Sequence, residues 1–272
     1  MKKILSVFFL LLVFTVLYPF QYNFMNNEKV IKFTETLLKN EGIAQTNIDL
    51  WEKMVNLYNQ NIDFYNATKT GWKESGAKTE FFDHALDKFD YGRLYVNCRM
   101  SLYILIKDVI QVETYTRENE TRDHIINEIA RMKEYIQLSP MQEAAYKSLF
   151  NPIGIPKDKL TDKSFDTALE TYQAFWKKEG LRFPENPNLQ IIQVVVVRPE
   201  YQLAFCDHAA LAVIKKDRLY LIEKSNPFSP YLITEHSGYE EMGLYLTLTF
   251  KDFKGSGIMI LANDRIVWNT VF

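Results

Sequence analysis

The chain reads as an α+β protein in which a helical half precedes a mainly antiparallel sheet. From about residue 28 to residue 180, apolar residues recur at helical spacing. From about residue 190 onward the texture changes to short β-branched runs bounded by Pro, Gly and turn residues. Helices first and strands last is segregation of the two element types, not their alternation, and this predicts α+β.

The N-terminus comes first in the chain and decides the expected compartment. Lys2 and Lys3 precede an apolar run over residues 4–20 that only Ser6 and Thr15 interrupt. A basic start followed by such a run is an export signal. Its length falls between the core of a signal peptide, about 7–15 residues, and a spanning helix of about 20. No small-x-small cleavage site follows, and no cysteine stands there to take a lipid. Residues 1–24 are therefore expected to be a signal peptide or a membrane anchor, with an uncleaved anchor preferred. The excess of basic residues keeps Lys2 and Lys3 in the cytoplasm and puts everything after about residue 25 outside.

Met25-Asn26-Asn27 reads as a polar linker. Leu50, Met54, Leu57, Tyr58 and Ile62 space a helix over 49–65, and the polar stretch 66–79 with Gly71 and Gly76 reads as a loop. Residues 98–112 are apolar over a wide arc, which predicts a central buried helix. An amphipathic helix is expected over 118–136, with Ile125, Ile129, Met132 and Ile136 on one stripe. Ser139-Pro140-Met141-Gln142 is a helix start, with a capping Ser, a Pro at the first helical position and Gln three residues after the Ser. A helix over 164–179 is stopped by Gly180, and its stripe of Phe165, Leu169, Tyr172 and Trp176 is expected in the core.

Strands are expected over 191–197, 209–214 and 219–223, the last two joined by a tight turn at Lys216-Asp217. A final hairpin over 258–261 and 266–268 turns at Asn263-Asp264. There is no internal repeat. Residues 25–272 are expected to form one domain, because the strands without helical cover would leave one face bare.

Composition narrows the function classes. Across 272 residues, 47% are hydrophobic and 24% charged, which is ordinary globular composition. A net charge of −2 gives no electrostatic footprint for nucleic acid. Two cysteines, Cys98 and Cys206, exclude a disulfide-stapled scaffold. No glycine-rich phosphate loop is present, and His84, His124 and His236 match no metal-ligand spacing, so neither a cofactor nor a metal is expected.

Candidate chemistry gathers on a few residues. Cys98 heads the most apolar helix, where the positive end of the helix dipole favours a thiolate. The competing reading is an inert buried cysteine, since free Cys is among the most buried residue types. His208 leads a strand. If Lys216-Asp217 is a two-residue turn, Lys215 pairs with Arg218, Ile214 with Leu219 and Ala210 with Glu223. Paired side chains share a face, and so do residues i and i+2, so Glu223 falls on the face of His208 and can orient it. A one-residue slip would put it on the other face. Cys206, two residues before His208, is expected on that face too if the strand begins there, and the two thiols could then pair as a disulfide or redox lock, the alternative to a free Cys98. Asn97 and the Cys98 N–H are candidates to stabilise an oxyanion, and Asp90 and Tyr91 are alternatives to them.

Cys at a helix N-terminus, then His leading a strand, then a polar orienter on the next strand resembles the order in papain-like cysteine hydrolases. The hairpin from His208 through Glu223-Lys224 is similar to that of bacterial cell-wall amidases of the NlpC kind. Asn97-Cys98-Arg99, the run from Phe175 to Pro184, residues 208–231 and residues 258–264 resemble a family of exported Gram-positive proteins known as a domain of unknown function. The resemblance implies a papain-like fold and a thiol hydrolase of peptide or amide bonds, with the cell wall as the expected source of substrate. Cys98 would be its nucleophile, His208 its base and Glu223 its orienter. A non-catalytic surface binding protein of the same fold is the alternative. The helical region before the sheet is much longer than in the smallest such amidases.

Overall fold

The computed structural model describes residues 20–60, 71–74, 96–156, 164–227, 229–250 and 257–271. The expected export segment up to Pro19, most of the loop expected over 66–79, and His84, Asp90 and Tyr91 lie outside the described residues. In chain order the described elements are β1 (Gln21–Phe24), α1 (Glu28–Asn40), α2 (Gln45–Gln60), β2 (Lys73–Glu74), α3 (Cys98–Ile106), α4 (Asp123–Met132), α5 (Pro140–Phe150), β3 (Ile153–Gly154), α6 (Ser164–Glu179), β4 (Leu189–Arg198), β5 (Leu203–Lys215), β6 (Arg218–Lys224), β7 (Tyr231–His236), α7 (Tyr239–Phe250), β8 (Gly257–Ala262) and β9 (Arg265–Val271). The architecture is α+β, with seven α-helices and nine strands among the described residues.

All strand pairs are antiparallel, in the order β2-β1-β7-β6-β5-β4-β8-β9, with β3 added to β5. Helices cover both faces. On one, α1 to α5 pack with Leu189, Ile191, Ala209, Leu211, Val213 and Ile222, and α6 packs with Val195, Val197, Met259 and Leu261. On the other, α7 covers Ile192, Val194, Ala210, Ala212, Leu221 and Ile260. Two-sided cover explains why β4 is a continuous apolar run and not an alternating one.

Local signals shaped several elements as expected. Ser139 and Gln142 form a reciprocal capping box at α5, with Pro140 at the first helical position. Gly180 ends α6 at φ 66°, a conformation that costs a residue with a Cβ. The hairpins β5–β6 and β8–β9 each turn through a first residue of positive φ, Lys216 at 58° and Asn263 at 55°. The β5–β6 ladder runs Lys215↔Arg218, Ile214↔Leu219 and on to Leu211↔Ile222, the register of a two-residue turn.

Other elements differ. The helix expected over 98–112 ends at Ile106, because Gln111 exchanges backbone hydrogen bonds with Arg182. The helix expected over 118–136 is confined to α4, with a single 3-10 turn at Glu118–Glu120 before it. Met25, expected in a linker, is buried, and its N–H donates to the Tyr231 carbonyl. β1, β7 and α7 were not anticipated; the first two are short, and α7 contains Gly243, Thr247 and Thr249, which are poor helix formers. Its burial of Met242, Tyr245, Leu246 and Phe250 against the sheet overrides that preference.

Candidate functional site

Cys98 is the first residue of α3, and Asn97 caps the helix by accepting from the Met100 N–H at 3.0 Å. Every residue of α3 except Arg99 is buried, so the helix is held by core packing and its start is fixed in space. That start lies against β5 where β5 is no longer laddered to β6, beyond Leu211↔Ile222. The Cys98 S–H points to the Asp207 carbonyl at 3.8 Å.

A β-bulge decides which side chains gather there. Val194 pairs with His208 and Val195 with Cys206, leaving Asp207 as the extra residue of β5. A bulge breaks the alternation of faces. Cys206 therefore joins Ala209 and Leu211 in the core on the α3 face. His208 turns to the opposite face, where its ring stacks on Phe250 at 4.6 Å between centroids. The expectation that Cys206 shares the face of His208 fails for this reason. Cys98 and Cys206 are both free thiols, and the Cys206 S–H donates to the His208 carbonyl at 3.1 Å.

Glu223 reaches His208 from β6. Its Oε2 is 2.7 Å from His208 Nε2, and its Oε1 accepts from the Tyr245 hydroxyl at 2.5 Å. The carboxylate is thus held from α7 while it holds the imidazole. Glu223 occupies Nε2, and the other ring nitrogen, Nδ1, is buried with no hydrogen-bond partner among the described residues. Cys98 is 5% exposed, His208 0% and Glu223 3%, so water competes little with these contacts.

The electrostatics favour separated charge. Burial pushes the Cys98 thiol up, but the neighbouring His208 imidazole and its charge, the Arg99 guanidinium and the Ala209 N–H outweigh it and hold the thiol below its ordinary value. Burial pushes the His208 imidazole down, yet the Cys98 sulfur and the Glu223 carboxylate raise it to about 10. Both shifts run toward a thiolate and an imidazolium. Cys206 has no such partner, and burial pushes its thiol far up.

The Asn97 side chain is committed elsewhere. Its amide donates to Glu128 Oε1 at 2.5 Å while its carbonyl oxygen caps α3. Capping of Met100 by the Asn97 side chain, and the Ser101 N–H donated to the Asn97 carbonyl, leave the Cys98 and Arg99 N–H groups as the first-turn donors without an intrahelical acceptor. Arg99, Glu128, Tyr245 and Phe250 surround the site and were not singled out from the sequence. Of these only Arg99 carried a signal, its place beside Cys98. Among the described residues no group of His, Cys, Asp and Glu is arranged to hold a metal ion, and no helix is long and apolar enough to cross a membrane.

No curated protein and no solved structure matches the chain. A family model described as a domain of unknown function (DUF4300) matches residues 21–267. That span holds Cys98, His208 and Glu223 together with nearly every described element, and the chain belongs to the DUF4300 family.

Proposed function

We propose that this chain is a cysteine hydrolase with a papain-like core, acting on an amide or peptide bond outside the cytoplasmic membrane. One observation carries the reading: Glu223 of β6 grips His208 of β5 through Nε2 and leaves the buried Nδ1 unbonded, while Cys98 at the start of α3 lies against the same stretch of β5, its sulfur 3.8 Å from the Asp207 carbonyl. Cys98 is the nucleophile, His208 the proton carrier and Glu223 the orienter.

The thiolate attacks the carbonyl carbon, and the negative charge moves to the carbonyl oxygen. The free N–H groups at the start of α3 are the donors available to that oxygen. The imidazolium gives its Nδ1 proton to the leaving amine as the carbon–nitrogen bond breaks. Neutral His208 then takes a proton from water, whose oxygen displaces the Cys98 sulfur and restores the thiolate–imidazolium pair. Export through residues 1–24 and the amidase-like hairpin favour a cell-wall peptide as substrate. Burial of Cys98, 5% exposed, favours a second reading, a non-catalytic surface binding protein with an inert thiol.

The pH profile of Cys98 alkylation separates the two. It is measured with iodoacetamide under reducing conditions on a Cys206→Ser background. Reaction that persists well below the ordinary thiol value of about 8.5, and is lost in His208→Ala, is the expected result. Slow reaction at every pH, indifferent to His208, rules the hydrolase out.

A further inference from the structure

Four donors converge on Glu128, a buried carboxylate of α4. Asn97 Nδ2 and Arg99 Nη2 meet its Oε1, while Arg99 Nε at 3.1 Å and the Tyr146 hydroxyl at 2.5 Å meet its Oε2. Arg99 is thereby gripped through two nitrogens, the fork geometry that fixes a guanidinium in direction as well as place. Its remaining terminal nitrogen, Nη1, donates to the Cys206 carbonyl at 2.9 Å. That carbonyl belongs to the residue before the bulged Asp207, two residues from His208.

The pair therefore touches both halves of the candidate site. Through Asn97 and Arg99 it holds the two residues that flank Cys98, and through the Cys206 carbonyl it holds the bulge that turns His208 to its face. We propose that the Arg99–Glu128 pair is the positioning device of this site, fixing the start of α3 against the β5 bulge so that the Cys98 sulfur and the His208 ring stay in register. The inference rests on the hydrolase reading. Neither side chain touches the reacting atoms, and both act through Cys98 and His208.

A plain structural role is the competing account, since breaking a buried ion pair destabilises a fold wherever it stands. Variants that conserve charge tell the two apart. The charged and titratable groups around Cys98 are Arg99 on α3, Cys206, Asp207 and His208 on β5, Glu223 and Lys224 on β6, Glu128 on α4 and Tyr146 on α5. Arg99→Lys and Glu128→Asp leave every charge in that set in place. Lysine removes the fork, and aspartate withdraws the carboxylate by one methylene.

The measurement is the pH titration of thiolate ultraviolet absorbance on the full-length chain, on a Cys206→Ser background, as the difference from Cys98→Ala. Leu38→Ala, at a buried α1 residue that makes none of the site's hydrogen bonds described above, controls for lost stability. In both charge-conserving variants the Cys98 midpoint should rise by about one pH unit, a roughly tenfold loss of thiolate below the midpoint, while Leu38→Ala leaves it in place. Should Arg99→Lys fail to fold, Glu128→Asp carries the test. A midpoint that stays put while melting temperature falls, as in Leu38→Ala, overturns the positioning role alone. An ordinary thiol midpoint in the unaltered site overturns the hydrolase reading beneath it.

Discussion

Glu223→Gln isolates the contribution of the buried carboxylate to the charge state of His208. The substitution keeps shape but leaves one oxygen where there were two. In the native site Oε1 accepts from Tyr245 at 2.5 Å and Oε2 faces His208 Nε2 at 2.7 Å. If the glutamine oxygen stays with Tyr245, its amide hydrogens point at Nε2, which must then be unprotonated. The imidazolium loses both its acceptor and its counter-charge. With charge centres about 4 Å apart and an effective dielectric of about 20, that interaction is worth about 4 kcal/mol, or about three pKa units. The His208 midpoint, raised to about 10 in the native site, should fall to about 7.

Heteronuclear NMR of the ring nitrogens across pH reads the midpoint directly. Stability gives an independent check with a definite sign. The folded-state value of His208 lies above the unfolded value of about 6.5, so its stabilisation is fully present below pH 6.5 and lost as pH rises through about 10. The deficit of Glu223→Gln relative to wild type should accordingly be largest in acid and shrink toward alkaline pH. A His208 midpoint that is unmoved by the substitution, or already near 6.5 in the wild type, refutes the reasoning.

Two further outcomes test the frame around the site. His236 lies on the α7 face of the sheet, its Nε2 2.7 Å from the Thr234 hydroxyl, and burial holds its value down at about 3. The unfolded chain takes up a proton at about 6.5 that the fold resists, so urea-measured stability should fall by about 1.4 kcal/mol per pH unit between about pH 6 and pH 4, and His236→Gln should flatten that slope. Gly243→Ala would place a Cβ 2.4 Å from Trp268 Cγ. The clash should cost about 1–3 kcal/mol by thermal or urea melting, reversing the gain of about 1 kcal/mol that the same change brings to an open helix; a stabilised variant would show that β9 yields freely.

Legibility varied with the range of the interaction. The start of α5 was readable because a capping box lies within four residues. The β5–β6 register was readable because a two-residue turn sets every pair that follows it, and with it the shared face of His208 and Glu223. α7 was illegible because Gly243, Thr247 and Thr249 interrupt it with poor helix formers, and its burial against the sheet settles it as a helix. β1 and β7 were illegible because four and six residues carry little pattern, and their pairing with each other joins positions some 210 residues apart.

The same division runs through the site. The residue types, their order and the N-terminal placement of Cys98 on a buried helix are local properties, and they narrowed the chemistry to a thiol, an imidazole and a carboxylate. Tertiary structure alone decided that the Cys98 sulfur meets a strand 109 residues further on. It alone placed Asp207 as the bulged residue that sends Cys206 and His208 to opposite faces, and it alone closed Arg99 on Glu128 across two helices. The physical reason is that a bulge and a buried ion pair arise from competition among many packing and hydrogen-bonding partners distant in the chain, whereas caps, turns and periodicity are settled within one turn of backbone.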